Sequence, residues 1–147
     1  MKLDDIHREW KKDSRIEMNA LDASSVETTK LHAKYLELYS TYKLKLKDAE
    51  FKQSNLMKMK WLWYHGKLSQ EEIDRQGWEY DPFEGLKILK GDMSQFVEAD
   101  PELQQSEARI ELLKVTIDTL KEILENLKWR HQTIRNVLEW KKFEAGF

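Results

Sequence analysis

The sequence predicts a mainly α-helical protein built on long helices, and three observations carry that prediction. Glycine and proline are scarce, five and two in 147 residues. Long stretches are dominated by Ala, Leu, Glu, Lys, Gln and Met, the composition of long helices. Toward the C-terminus, Leu103, Ile110, Leu113, Ile117, Leu120, Leu124, Leu127, Ile134 and Leu138 follow the alternating three and four spacing of heptad positions a and d, interrupted by polar Ser106 and His131. Charged residues make up 35% of the chain, which limits apolar area per residue, so one compact core of ordinary size is not assured.

In chain order, Leu3, Ile6 and Trp10 fall at i, i+3 and i+7, one face of a short first helix that frays into "KKDSR". Asp22 is the N-cap expected for a much longer second helix. Its apolar residues Leu31, Tyr35, Leu38, Tyr42, Leu46, Ala49 and Leu56 keep to a narrow stripe, and it should stop near Gly66. "LSQEEI" carries a capping box, Ser69 to Glu72, with Leu68 and Ile73 placed as a hydrophobic staple; a short third helix should end at Gly77. "WEYDPFEG" reads as an aromatic loop. In "LKILKGDMSQFV", residues 86–97, Gly91-Asp92 separates two apolar stretches, the pattern of a small β-hairpin, although Gly-Asp is a weaker turn signal than Asp-Gly. Asp100 followed by Pro101 starts the last helix, which should continue to about Glu144 before Gly146.

A helix of that length is roughly 65 Å long, about twice the span of a small domain. The second helix is similarly long. Either the two form an antiparallel hairpin or each packs against copies from other subunits. Leu112, Ile123, Val137 and Trp140 form a second, sparser stripe beside the heptad seam. Apolar residues on both flanks favour a ring or barrel-like oligomer over a simple dimer, and one wide stripe facing one partner within the chain fits the pattern equally well. Two regions are therefore expected: an N-terminal helical region, 1–98, and a C-terminal oligomerisation helix, 99–147. The oligomerisation residues are Ile110, Leu113, Ile117, Leu120, Leu124, Leu127, Ile134 and Leu138.

Little in the sequence supports catalysis. The formal net charge is −2, so no global basic field argues for nucleic acid, and any anion binding must come from local clustering. Cysteine is absent, which removes thiol nucleophiles, thiolate metal sites and disulfides and fits a reducing compartment. His7, His32, His65 and His131 are far apart and form no metal-ligand pair, and the five glycines stand singly, so no phosphate loop exists. Neither an enzyme, a cofactor nor a metal is expected. The N-terminus lacks the apolar core of a signal peptide and no run approaches membrane-spanning length; a cytoplasmic protein is expected, without a membrane partner.

One region stands out electrostatically. Lys43, Lys45, Lys47, Lys52, Lys58, Lys60 and Lys67 face only Asp48 and Glu50, while acids gather elsewhere at Glu98, Asp100, Glu102, Glu107 and Glu111. Within it, "LMKMKWLWYHGK" sets lysines among Trp61, Trp63 and Tyr64. A basic cluster beside aromatic rings suits single-stranded nucleic acid, because phosphates are attracted to the lysines while bases stack on rings without sequence preference. Lys58, Lys60, Trp61, Trp63, Tyr64 and Lys67 are the candidate binding residues. The competing reading makes the aromatics packing residues and the lysines a solvated face. Helical geometry adds that Lys60 lies on the stripe of Tyr42, Ala49 and Leu56, whereas Lys58 points nearly opposite with Leu62 and His65. A lysine on a packing stripe is unexpected; it marks an interface rim or a groove lined by Lys60, Tyr64 and Lys67.

"MKLDDIHREWKKD", "LMKMKWLWYHGK", "LKILKGDMSQFVEADPEL" and the terminal "FEAGF" resemble, in order and spacing, the UvsY family of recombination mediators from T-even-type phages. The N-terminal likeness covers about the first seventy residues, including Leu3, Asp5, Lys11, Lys12, Asp13, Lys58, Tyr64 and Gly66; the last helix matches mainly in heptad character. The resemblance implies a non-enzymatic, ring-forming homo-oligomer, a hexamer or heptamer, in the cytoplasm of an infected bacterium. Such a protein binds single-stranded DNA, contacts the phage single-strand DNA-binding protein, and helps a RecA-like, UvsX-like recombinase load. A Lys-x-Arg pair implicated in DNA binding in the family maps onto Lys58 and Lys60, where Lys in second place keeps the charge but loses the planar fork. The rival function is a structural or chaperone-like coiled-coil adaptor that binds no nucleic acid.

Overall fold

Asp4 and Asp5 open the first helix and Lys11 and Lys12 close it, each charge placed at the end of the helix dipole that favours it. In the computed structural model, which describes all residues from Met1 to Phe147, that helix is α1, Leu3–Asp13. Ile6 is fully buried, and Trp10 meets Tyr35 edge-on with ring centroids 5.5 Å apart. The long second helix, α2, runs Leu21–Tyr64. It begins one residue before Asp22, which therefore sits in the first turn and not at the cap. Its end is set by Gly66 at φ +68°. The Lys67 N–H donates to the Leu62 carbonyl at 2.8 Å and the Gly66 N–H to that of Trp63 at 3.1 Å, the paired closure that a left-handed residue permits.

α3, Gln70–Gln76, forms as its capping signals predict: Ser69 Oγ accepts from the Glu72 N–H at 3.3 Å, and Gly77 ends the helix in the left-handed region. The expected β-hairpin does not form. Residues Lys90–Asp92 make one 3₁₀ turn that leads into α4, Met93–Glu98. Met93, Phe96 and Val97 stand at i, i+3 and i+4, a helical spacing that lets all three pack on Trp63, Tyr64 and Ile73, which an alternating strand would not allow. The last helix, α5, is Pro101–Glu144. Asp100 caps it, Oδ1 accepting from the Glu102 and Leu103 N–H groups at 3.0 and 3.1 Å.

The chain divides into two compact units, one of residues 1–44 with 114–147 and one of residues 45–113, with both boundaries inside α2 and α5. The expected cut between residues 98 and 99 falls at the α4–α5 junction, within the second unit. In the first unit, Ile6, Leu31, Tyr35, Tyr42, Ile117, Leu120, Ile123, Leu127 and Ile134 are buried. In the second, Ala49, Trp63, Tyr64, Ile73, Leu103, Ile110 and Leu113 are. Burial here is by the chain's own atoms. The heptad residues expected to mediate oligomerisation are thus largely covered within one subunit, as the intramolecular alternative requires. Leu124 is only half-buried, and Leu138 is exposed. From the second stripe, Ile123 is buried while Leu112 and Trp140 face solvent. No helix is long and apolar enough to cross a membrane.

Candidate nucleic-acid interface

The six residues proposed from sequence to bind DNA separate into two groups of three. Lys60, Trp63 and Tyr64 turn inward at the end of α2. Lys60 is 3% exposed, and its Nζ lies 3.0 Å from Asp100 Oδ2 and 3.4 Å from Glu102 Oε1. The same ammonium sits 4.0 Å from the centre of the Trp78 ring and 4.6 Å from that of Trp63, within the range of cation–π attraction. Trp78 Nε1 donates to Glu102 at 2.6 Å, and Tyr64 donates its hydroxyl proton to Asp100 at 2.7 Å. Trp63 Nε1 donates to the Glu79 carbonyl at 2.9 Å. No buried side-chain nitrogen or oxygen in this cluster lacks a partner within the chain.

Burial alone would raise the Asp100 carboxyl, but hydrogen bonds from Tyr64, the Leu103 N–H and Lys60 outweigh it and hold the group below the ordinary carboxylate range. Tyr64 moves the other way. Burial and the adjacent carboxylate both disfavour its phenolate, and its pKa rises well above that of free tyrosine. Asp100 therefore caps α5, pairs with Lys60 and fixes Tyr64 at once. Segregated charge in the sequence has a structural meaning: part of the acidic run neutralises the one lysine that lies on the packing stripe.

Lys58, Trp61 and Lys67 face outward. Trp61 is 45% exposed; His65 stacks on it with centroids 4.0 Å apart and rings inclined by 22°, and Lys67 Nζ lies 5.2 Å from its centre. Nearly three turns upstream on the same face, exposed Phe51 carries Lys47 Nζ at 5.2 Å from its ring centre. Lys47, Phe51, Lys58, Trp61 and His65 follow at intervals of four, seven, three and four, so they form one continuous stripe along α2. The surface thus alternates exposed rings with cations. Sequence reasoning set His65 beside Lys58 without making it a binding residue, and did not single out Phe51. Their spacing from Trp61 was the signal that would have found them, because it places them on the face opposite Tyr42, Ala49 and Lys60.

The model of the family described as "Recombination, repair and ssDNA binding protein UvsY" matches residues 9–147. The chain belongs to the UvsY family. The recombination protein uvsY of Enterobacteria phage T4 is 23% identical over 146 residues, covering 99% of both chains. Crystal structures of the bacteriophage T4 recombination mediator protein UvsY have the same fold. One lattice form gives a TM-score of 0.79 at 23% identity over 99% of each chain, and another 0.77 at 19% over 98% of this chain and 99% of that one. The UvsY description names recombination, repair and single-stranded DNA binding, and no reaction. Within this UvsY-family chain the two lysines of the resemblance part company: Lys58 is exposed and forms no ion pair, while Lys60 is held in the buried cluster.

Proposed function

We propose that the protein is a recombination mediator that binds single-stranded DNA and promotes loading of a RecA-like recombinase onto DNA covered by single-strand binding protein. The observation that carries the DNA reading is the exposed stripe of Lys47, Phe51, Lys58, Trp61, His65 and Lys67, in which cations lie beside ring faces. Bases stack on rings at roughly 1–3 kcal/mol each irrespective of sequence, and phosphates add a salt-dependent attraction. Lys58, Trp61 and Lys67 would touch the strand. Lys60, Trp63 and Tyr64 would serve it from behind, by fixing the end of α2 against the start of α5.

Self-association would repeat this modest site and raise avidity without any strong single contact. Exposed Trp129, Leu138, Trp140 and Phe143 on α5, the last two stacked at 5.5 Å, are the apolar surface available to a second copy, in a ring-shaped hexamer or heptamer. Wrapping of the strand by such an assembly would loosen the resident binding protein and present DNA to the recombinase; the UvsX-like recombinase and the phage single-strand binding protein are partners by family likeness. The test is titration of oligo(dT) against tryptophan fluorescence at several salt concentrations. Quenching whose affinity falls with salt, and falls further in Lys58→Ala, supports the reading. Absence of quenching, or affinity indifferent to both salt and Lys58, leaves the coiled-coil adaptor as the better account.

A further inference from the structure

His65 stands one residue past the end of α2, and its ring is half-buried where it lies flat on exposed Trp61. Its Nδ1 is 2.7 Å from the Trp61 carbonyl oxygen. A carbonyl only accepts, so Nδ1 carries a proton and donates it, which fixes the tautomer of the neutral ring. Nε2, across the ring from that bond, has no partner in the chain and is not buried. The stack and the Nδ1 bond together hold the imidazole in one orientation and leave Nε2 open to a ligand. In the neutral ring Nε2 presents a lone pair, which a phosphate oxygen avoids. On protonation the same atom becomes a charged donor.

The charges around this ring are uneven. Residues 51–67 contain Lys52, Lys58, Lys60 and Lys67 and no Asp or Glu. Lys52 pairs with Asp48 at 2.9 Å, and Lys60 is turned to the buried side of the helix. Lys58 and Lys67, which share the stripe with His65, form no ion pair. The carboxylates nearest in the chain are committed elsewhere: Glu71 and Glu72 of α3 to Arg75, Asp74 to Gln70 at 2.9 Å, and Asp100 and Glu102 to Lys60. In the loop after α3, Asp81 accepts from the Phe83 and Gly85 N–H groups. No carboxylate lies within 4.0 Å of Lys58, His65 or Lys67. Protonation of His65 therefore adds a third positive charge to a face that already holds two without counter-charges, at a helix C-terminus whose dipole accommodates a cation.

We propose that His65 makes a proton-dependent phosphate contact in the α2 stripe, its imidazolium Nε2–H donating to a phosphodiester beside the base that stacks at Trp61. Such a contact presupposes the DNA-binding function proposed above. Linkage sets its sign: an anion that binds the imidazolium better than the neutral ring binds more tightly as pH falls. Imidazole ordinarily changes charge near pH 6.5, so the response belongs between about pH 8 and about pH 6.

The test is the affinity of the full chain for oligo(dT) at those two pH values and constant ionic strength, since thymine takes up no proton in that range. Wild-type affinity should rise about two- to fivefold on acidification, the range of an exposed ion pair. The slope of log K against log salt should steepen by about 0.7, one further phosphate contact on a single strand. His65→Gln, which can still donate to a carbonyl but cannot become charged, should lose both changes. His65→Lys, a permanent cation, should bind with little difference between the two pH values. Circular dichroism at each pH checks that both variants are folded. A pH response that persists in His65→Gln, or a wild-type affinity equal at the two pH values, overturns the role of His65 and leaves the DNA-binding function standing. A tightening without a steeper salt slope overturns the phosphate as its partner. Failure of the wild type to bind oligo(dT) at either pH overturns both the contact and the function on which it rests.

Discussion

Substitution of Lys60 by alanine separates a lysine that contacts DNA from one that holds the fold. Removing its side chain would leave Asp100, 2% exposed, without its cation and would open space between the Trp63 and Trp78 rings. Breaking a buried ion pair from one side costs about 3–5 kcal/mol. Asp100 would keep three hydrogen bonds, from Tyr64 and the N–H groups of Glu102 and Leu103, so the lower end applies. For a chain of this length, about 3 kcal/mol corresponds to a fall in Tm of roughly 6–12 °C. Lys58→Ala, at an exposed position without an ion pair, should stay within about 0.5 kcal/mol of wild type. Thermal unfolding followed by circular dichroism, paired with oligo(dT) titration at a temperature where both variants are folded, reads the two effects separately. Lys58→Ala should lose affinity and keep its Tm; Lys60→Ala should lose Tm first. The double variant Lys60→Ala/Asp100→Ala should be less destabilised than the sum of the single changes, because the orphaned charge has gone. An unchanged Tm in Lys60→Ala, with DNA binding abolished, would show that its ammonium is free for phosphate and would refute the buried cluster as its role.

The two tryptophans of the same turn should also divide. Trp61→Ala should cost about 1–3 kcal/mol of DNA affinity, and most of the fluorescence quenching, with little loss of stability, whereas Trp63→Ala should cost about 3–5 kcal/mol of stability; equal stability losses would contradict their opposite exposures. Acid should weaken the fold through Asp13 and Asp100, whose pKa values are lowered in the folded state. Their stabilisation is present above the unfolded carboxylate pKa of about 3.9 and is lost as pH falls through the folded values, so Tm should drop below about pH 4 and Asp100→Asn should flatten part of that drop. At the other extreme Tyr35 and Tyr64 have raised pKa values, so their contribution is complete below about pH 10 and declines above it; Tyr64→Phe should reduce the alkaline decline.

Where local chemistry is self-contained, the sequence was sufficient to place the elements. Ser69 with Glu72 and Gly77, Asp100 with Pro101, and Gly66 after a helical run each fix one terminus through hydrogen bonds made within a few residues, and these ends fall where expected. Residues 86–97 stay ambiguous in sequence for the opposite reason. "LKILKGDMSQFV" has apolar residues on both sides of Gly91, and a pattern that short fits either period. What decides it is the aromatic cluster of Trp63, Tyr64 and Ile73, which takes up Met93, Phe96 and Val97 together and lies beyond any local window.

The same distinction accounts for the site. An angular projection of α2 correctly set Lys60 on the packing stripe and Lys58 opposite it, yet a cation on an apolar stripe looks like a binding residue until its counter-charge is known. That counter-charge, Asp100, is forty residues away in sequence and reads there as nothing more than a helix cap. Likewise the heptad seam of α5 looks like an oligomer interface, because a seam does not reveal whose residues fill it. In this chain its own do for most positions, while Trp129, Leu138, Trp140 and Phe143 remain outside. Aromatic and basic residues clustered in one dodecapeptide therefore divide between two faces of one helix, one buried and one exposed. Lys60, Trp63 and Tyr64 tie the end of α2 to the start of α5, and in the proposed function that tie holds the charge of Lys58 and the ring of Trp61 at a set spacing for a flexible strand.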